Sequence, residues 1–163
     1  MPVSTVRDYL KQFGKDEDIL EFSASTSTVE LAAAEVGTEP ARIAKTLAFY
    51  DPQDPGRAVL VVAAGDARMH SGSFKRAFSG KARMVAAADV EPLTGHPPGG
   101  VCPFANPEGT RVFLDESLRR FDTVWPAAGS ASSAVALTIE ELEQCSRAEG
   151  WVDITRGWRE QAD

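Results

Sequence analysis

The sequence predicts a mixed α/β fold, a single sheet of parallel and antiparallel strands with helices packed around it. Three observations predict it. Strand-like segments outnumber helical ones. Several are joined by turns too short for the crossover that parallel neighbours need, so the sheet is not wholly parallel. Two hydroxyl–glutamate capping boxes, Ser27-Thr28-Val29-Glu30 and Thr138-Ile139-Glu140-Glu141, open helices between those strands. With 163 residues, the chain is shorter than the ~250–300 at which one core divides, so one domain over 1–163 is expected.

The elements follow in order. Val6, Tyr9, Leu10 and Phe13 have helical spacing, and Gly14 supplies the stop. Ile19–Ser23 is a short strand. The first capping box starts an alanine-rich helix that ends at Gly37, since glycine accepts the left-handed conformation of a helix terminus. Thr38 is placed to cap the next turn, with Pro40 in it, before a strand at Ala44–Phe49. Residues 51–56 are a turn, and the apolar run Ala58–Ala63 is a buried strand, the two strands forming a hairpin with a long loop. After the Gly65-Asp66 turn come a short helix around Phe74 and Phe78, a strand at Ala82–Val85 and a capped turn at Asp89–Thr94. Three glycines and two prolines make residues 95–100 a loop. Arg111–Leu114, Thr123–Ala127 and Ser133–Leu137 are strands, with a helical turn at Asp115–Leu118. The second capping box opens the last long helix, which Gly150 stops before a strand at Trp151–Ile154; the tail after Arg156 is expected to fray.

Composition excludes several classes. At 43% hydrophobic and 25% charged residues the chain has material for a core. Asp66 and Arg68 interrupt the best apolar run, and the N-terminal segment is charged, so neither a membrane span nor a signal peptide is indicated. Cys102 and Cys145 stand far apart without motif spacing, which argues against a disulfide framework and for a cytoplasmic location. A net charge of −7 speaks against indiscriminate nucleic-acid binding and against DNA. Charge is nevertheless uneven. Residues 67–88 hold Arg68, Lys75, Arg76, Lys81 and Arg83 with no acid, whereas residues 140–149 hold four glutamates and one arginine. Either both are solvated faces, or the basic segment touches RNA phosphates through Arg68, Lys75, Arg76 and Lys81.

Metal chemistry is not indicated, because His70 and His96 have no ligand spacing to one another or to cysteine. P-loop, dinucleotide and Gly-x-Ser-x-Gly signatures are absent, and no cofactor is expected. Two features remain. Lys45 stands at the entrance to an apolar strand, where it either snorkels to solvent or holds a cation against developing negative charge. In Gly99-Gly100-Val101-Cys102-Pro103-Phe104, adjacent glycines either let backbone approach a ligand or simply make a connection pinned by Pro103 and Phe104. Cys102 with His96 is the remaining nucleophile–base pair, but no third orienting group is identifiable.

Taken together, these segments resemble the YbaK/prolyl-tRNA-editing family of aminoacyl-tRNA deacylases. The resemblance rests on the Ser27–Glu30 box and its alanine helix, Arg42–Phe49, Gly65-Asp66, Leu93–His96 running into Gly99–Phe104, Val112–Glu116, and Ala128-Gly129-Ser130. It covers about residues 22–154. Ala105-Asn106-Pro107 departs from it, since many relatives carry glycine directly after the phenylalanine.

The resemblance implies a curved, mainly antiparallel mixed sheet closing towards a barrel. It also implies hydrolysis of the ester between a small mischarged amino acid (Ala, Cys or Ser class) and tRNA, tRNA-Pro first among carriers. The family's lysine falls on Lys45 and its glycine-rich loop on Gly99–Phe104. The implied catalytic groups are therefore Lys45 and the backbone at Gly100, which would receive the oxyanion. Thr28, Thr46, Gly99, Val101, Cys102, Pro103, Phe104, Gly129 and Ser130 are the expected substrate-binding set. The partners implied are aminoacyl-tRNA and an aminoacyl-tRNA synthetase. The alternative is a non-catalytic module of the same fold that binds tRNA or a synthetase.

Overall fold

A computed structural model describes residues 2–23 and 28–158. Helix α1 (Pro2–Leu10) runs into a 310 turn that Gly14 closes at φ 71°. Strand β1 (Ile19–Glu21) follows. Helix α2 (Val29–Val36) is capped by Thr28, whose hydroxyl accepts from the Leu31 amide at 3.1 Å. The cap thus lies one residue later than the expected box, and Ser27 lies outside the described residues. Gly37 ends the helix in the left-handed region, as expected. The next 310 turn, Pro40–Arg42, starts from Glu39 without a side-chain cap, so Thr38 does not fill that role.

Strands β2 (Ile43–Asp51) and β3 (Asp54–Ala64) form a tight antiparallel hairpin with Asp51 paired to Asp54, not one with a long loop. Strand β4 (Arg68–Met69), helix α3 (Ser71–Phe78) and helix α4 (Ala87–Thr94) follow. The strand expected at Ala82–Val85 is reduced to a single bridge, Met84 to Phe49, and α4 is longer than the expected capped turn. Strand β5 (Arg111–Asp115) leads into a 310 turn over Glu116–Arg120, then β6 (Thr123–Pro126). The segment read as one strand at Ser133–Leu137 divides into β7 (Ser133–Val135) and β8 (Leu137–Thr138). Helix α5 (Ile139–Ser146) has the expected capping box, Thr138 with Glu141, but stops at Arg147 (φ 53°). Gly150 instead begins β9 (Gly150–Val152), and β10 (Thr155–Arg156) follows. Trp158, expected in a fraying tail, is only 7% exposed.

The main sheet has the order β8-β6-β2-β3-β5-β9 and curls into a half-barrel. The β2–β3 hairpin is its antiparallel centre; β6 adds in parallel to β2, and β5 and β9 add in parallel beyond β3. Two small antiparallel pairs, β1–β7 and β4–β10, brace it. Both faces of β3 are buried, which accounts for its unbroken apolar sequence. Val59 and Val61 pack with Phe49, Phe74 and Phe78, whereas Leu60 and Val62 share the larger core with Val6, Leu10, Phe104 and Leu142. A third cluster places Ala32 and Ala33 of α2 on Ile43, with Trp125 at its edge. That last contact frames the cavity described next. Among the described residues no helix is long and apolar enough to cross a membrane.

Candidate active site

The first strand residues of β2 open into a cavity of about 200 Å3 beneath α2. Lys45 enters it from the sheet; its ammonium donates to the carbonyls of Gly65, at 3.4 Å, and of Ala67. An ammonium has three donors, so one remains for the cavity. Burial pushes the Lys45 pKa below the ordinary lysine value, the Asp66 carboxylate opposes that shift, and the Arg68 charge adds to it.

The turn that supplies those carbonyls is held rigidly. Arg120 grips Asp66 through two parallel bonds of 2.5 and 3.0 Å, and a bidentate pair this sheltered fixes orientation as well as charge. Arg120 also donates to the Ser117 carbonyl at 3.0 Å and lies over the rings of Phe121 and Trp158. Gly65 packs against the cavity wall so closely that a Cβ would overlap the Pro40 carbonyl and lie 2.7 Å from Val29. Only glycine fits there.

Of the expected site residues, Thr28, Lys45, Thr46, Gly99 and Val101 line the cavity. The Thr46 hydroxyl is buried without a hydrogen-bond partner, a group that a ligand in the cavity could satisfy. Gly100 stands behind the wall. Its amide is committed to the Pro97 carbonyl at 2.9 Å, and a Cβ would come within 2.6 Å of Ser130 Cα. Its amide is therefore not available as the expected oxyanion donor; the glycine lets two loops meet. Cys102, Pro103 and Phe104 turn away from the cavity and are buried. Gly129 and Ser130 line a separate depression with Pro97 and Arg7.

Trp125, Ala32, Ile43, Ser133 and Ala134, with Val29, Ala44 and Ala127, complete the cavity and were not singled out as site residues in the sequence. Ser133 matters most, because its buried hydroxyl accepts from the amides of Ala128 and Ser130, both at 3.2 Å, and so shapes the 128–130 loop. No sequence signal identifies it, whereas Trp125 follows from the alternation in β6 once β6 is known to pair with Ile43.

The structure does bring Cys102 to His96, with Sγ 3.4 Å from Nε2. Both side chains are fully buried, and burial pushes the thiol up to about 12, so no thiolate is present near neutrality. The same His96 nitrogen bonds the Phe104 carbonyl at 2.7 Å, which marks it as the protonated one of a neutral ring. Burial also lowers the His96 pKa. A thiol with no access and no thiolate is a packing group, which removes the nucleophile–base pair.

The basic segment divides in space. Arg68, Lys75, Arg76 and Lys81 are all exposed, but only Arg68 adjoins the Lys45 turn. Lys75 and Arg76 lie on α3, and Lys81 sits by Tyr50 and Pro52, at the opposite end of β2. Among the described residues no cluster of histidine, cysteine and carboxylate groups is arranged to hold a metal.

Comparison with known proteins places this cavity in a family. A family model, the aminoacyl-tRNA editing domain, matches residues 23–145. The Bacillus subtilis (strain 168) uncharacterized protein YwhH is 42% identical over 158 residues, covering 97% of this chain and 99% of that protein. A crystal structure of a candidate trans-editing enzyme for prolyl tRNA synthetase superposes with a TM-score of 0.85 at 30% identity, covering 96% of this chain and 98% of that one. The hypothetical protein APE2540 gives a TM-score of 0.81 at 28% identity, covering 93% and 99% of the two chains. Since the matched residues include every segment that forms the Lys45 cavity, and the sequence likeness extends over nearly the whole chain, this protein belongs to the aminoacyl-tRNA editing domain family.

Proposed function

We propose that the protein is a trans-editing deacylase, which hydrolyses the ester of a small mischarged amino acid (Ala, Cys or Ser) on tRNA, with tRNA-Pro as the carrier. The observation that carries this reading is the cavity itself: about 200 Å3, mostly apolar side chains, and a half-buried ammonium held by two carbonyls. It is smaller than the ~300–1,000 Å3 typical of sites for drug-sized ligands. A volume of that order suits a single aminoacyl group rather than a larger ligand. Steric exclusion is the discrimination an editing site needs, because one methylene in a synthetase pocket is worth only ~1–3 kcal/mol. The choice of tRNA-Pro draws its support from the likeness to the candidate trans-editing enzyme for prolyl tRNA synthetase.

The chemistry asks little of the protein. An aminoacyl ester is already activated, so positioning and charge stabilisation supply most of the acceleration. Water adds to the ester carbonyl carbon, the oxygen gains negative charge, and collapse breaks the bond to the ribose oxygen, which takes up a proton. Lys45 contributes its remaining N–H as a fixed cation beside that charge or beside the terminal phosphate. Thr46 and the backbone at Gly99 and Val101 hold the aminoacyl group. For a cysteinyl ester the substrate's own thiol can replace water.

The test is a deacylation assay over a panel of tRNAs charged with alanine, cysteine, serine and proline. Release of a small amino acid, with proline retained, is the expected result. Tight tRNA binding without hydrolysis of any ester would refute catalysis and leave the non-catalytic binding module.

A further inference from the structure

The antiparallel pair β4–β10 sets Arg156 directly opposite Arg68. Side chains directly opposite in such a pair share one face, and both of these are exposed, while Thr155 beside them points into the core. Like charges facing each other are unfavourable in a sheet. Among the described residues neither arginine makes an ion pair, and the neighbouring carboxylate, Asp66, is taken up by Arg120. Arg68 belongs to the acid-free segment 67–88, so the pair adds to a local positive charge in a protein whose net charge is −7.

Its location gives the repulsion a use. Arg68 follows the Ala67 carbonyl that holds the Lys45 ammonium, and its charge reaches Lys45. Lys45, Arg68 and Arg156 therefore follow one another as positive charges from the Lys45 turn to β10. We infer that Arg68 and Arg156 together form a phosphodiester-binding site for the single-stranded 3′ end of the RNA, engaging the backbone just 5′ of the terminal adenosine. Two guanidinium forks side by side suit a phosphate, which accepts bonds from both and cancels the repulsion between them. The identity of the ligand as RNA rests on the deacylase reading; the anion site itself does not.

The experiment compares wild type with Arg156→Glu and Arg156→Gln, using a short RNA ending in CCA and, as reference, adenosine alone. Glutamate opposite Arg68 converts repulsion into an ion pair, so the melting temperature should rise by roughly 1–3 °C. RNA affinity should fall by about 5- to 20-fold relative to adenosine, and the slope of log K against log salt should flatten by roughly 0.7 per lost phosphate contact. Glutamine should weaken RNA binding less than glutamate. Unchanged RNA affinity and slope in both variants would overturn the inference, as would a fall in melting temperature that accompanies weaker binding in both. The two proposals fail separately. A wild type that binds the RNA through this pair yet hydrolyses no ester sinks only the deacylase reading. One that hydrolyses the panel while its Arg156 variants keep wild-type RNA affinity sinks only the arginine site.

Discussion

Gly100→Ala tests how the glycine-rich loop is built. The added Cβ would lie 2.6, 2.8 and 2.9 Å from Cα, N and C of Ser130, all backbone atoms that no rotamer change can move. Restoring ordinary contact requires the 99–101 and 129–130 segments to separate by roughly 0.8 Å. Ser133, which ties the second segment through bonds of about 3.2 Å, resists that movement. Overpacking of this kind costs about 1–3 kcal/mol. At about 2–4 °C per kcal/mol for a chain of this size, a mid-range cost lowers the melting temperature by roughly 4–8 °C. Deacylation should fall as well, since Ser133 and Ala134 line the cavity and move with the loop. Thermal unfolding followed by circular dichroism, with the deacylation rate measured well below the transition, separates the two effects. Ser130→Gly should not rescue the variant, because the obstacle is backbone. A melting temperature within a degree of wild type would refute the packing argument and return Gly100 to a role towards substrate alone.

Other substitutions probe the remaining parts of the site. Lys45→Ala should lower the deacylation rate by about 10²-fold or more with little change in stability, and Lys45→Arg should not restore it, because a planar fork does not reproduce a compact ammonium; activity within a few-fold of wild type removes Lys45 from the mechanism. Cys102→Ser should retain substantial hydrolysis, and the native thiol should react slowly with alkylating agents, given its burial and a pKa of about 12; an acyl group trapped on Cys102 would reverse that conclusion. Ala105, at φ 55°, occupies a conformation that favours glycine, so Ala105→Gly should raise the melting temperature by about 2–4 °C, a gain of about 1 kcal/mol. His96 is buried with a lowered pKa, so it is neutral when folded and takes up a proton on unfolding. Its contribution is complete above about 6.5 and is lost as pH falls through the lower folded value; denaturant titrations at several pH values should show that loss, and His96→Gln should flatten it.

What could be read from the sequence depended on the range of the interaction. Thr138 with Glu141, and Gly14 and Gly37 as stops, are local chemistry, and the structure has them where the sequence put them. The same logic failed at Gly150, because Arg147 takes the left-handed position first and the glycine is drawn into a strand beside Phe113. Ser133–Leu137 looked continuous, but its two halves pair with partners about a hundred residues apart in sequence, Ile19–Glu21 for the first and Thr123-Val124 for the second. The alternation is local; the choice of partner is not. In the site, Lys45 was conspicuous as a cation in an apolar strand, whereas the Asp66–Arg120 clamp spans a separation of 54 residues and left no trace in spacing. Cys102 and His96 drew notice as reactive types, and only their burial shows that they serve the core.

The segment matched by the family model, residues 23–145, is smaller than the body that must fold to shape the cavity. β1 pairs with β7, so residues 19–21 hold in place the strand that contributes Ser133 and Ala134. Val6 and Leu10 are fully buried, and Tyr9 reaches across to the Cys145 carbonyl at 2.6 Å. At the other end, Trp158 backs Arg120, and β10 anchors the strand that follows the Lys45 turn. A fragment trimmed to residues 23–145 would keep Lys45, Thr46 and the glycine loop in its sequence while losing both clasps that close the pocket around them. Grafts of this motif into other scaffolds would therefore need to carry the flanking forty or so residues as well, roughly a quarter of the chain, to bring a working pocket with them.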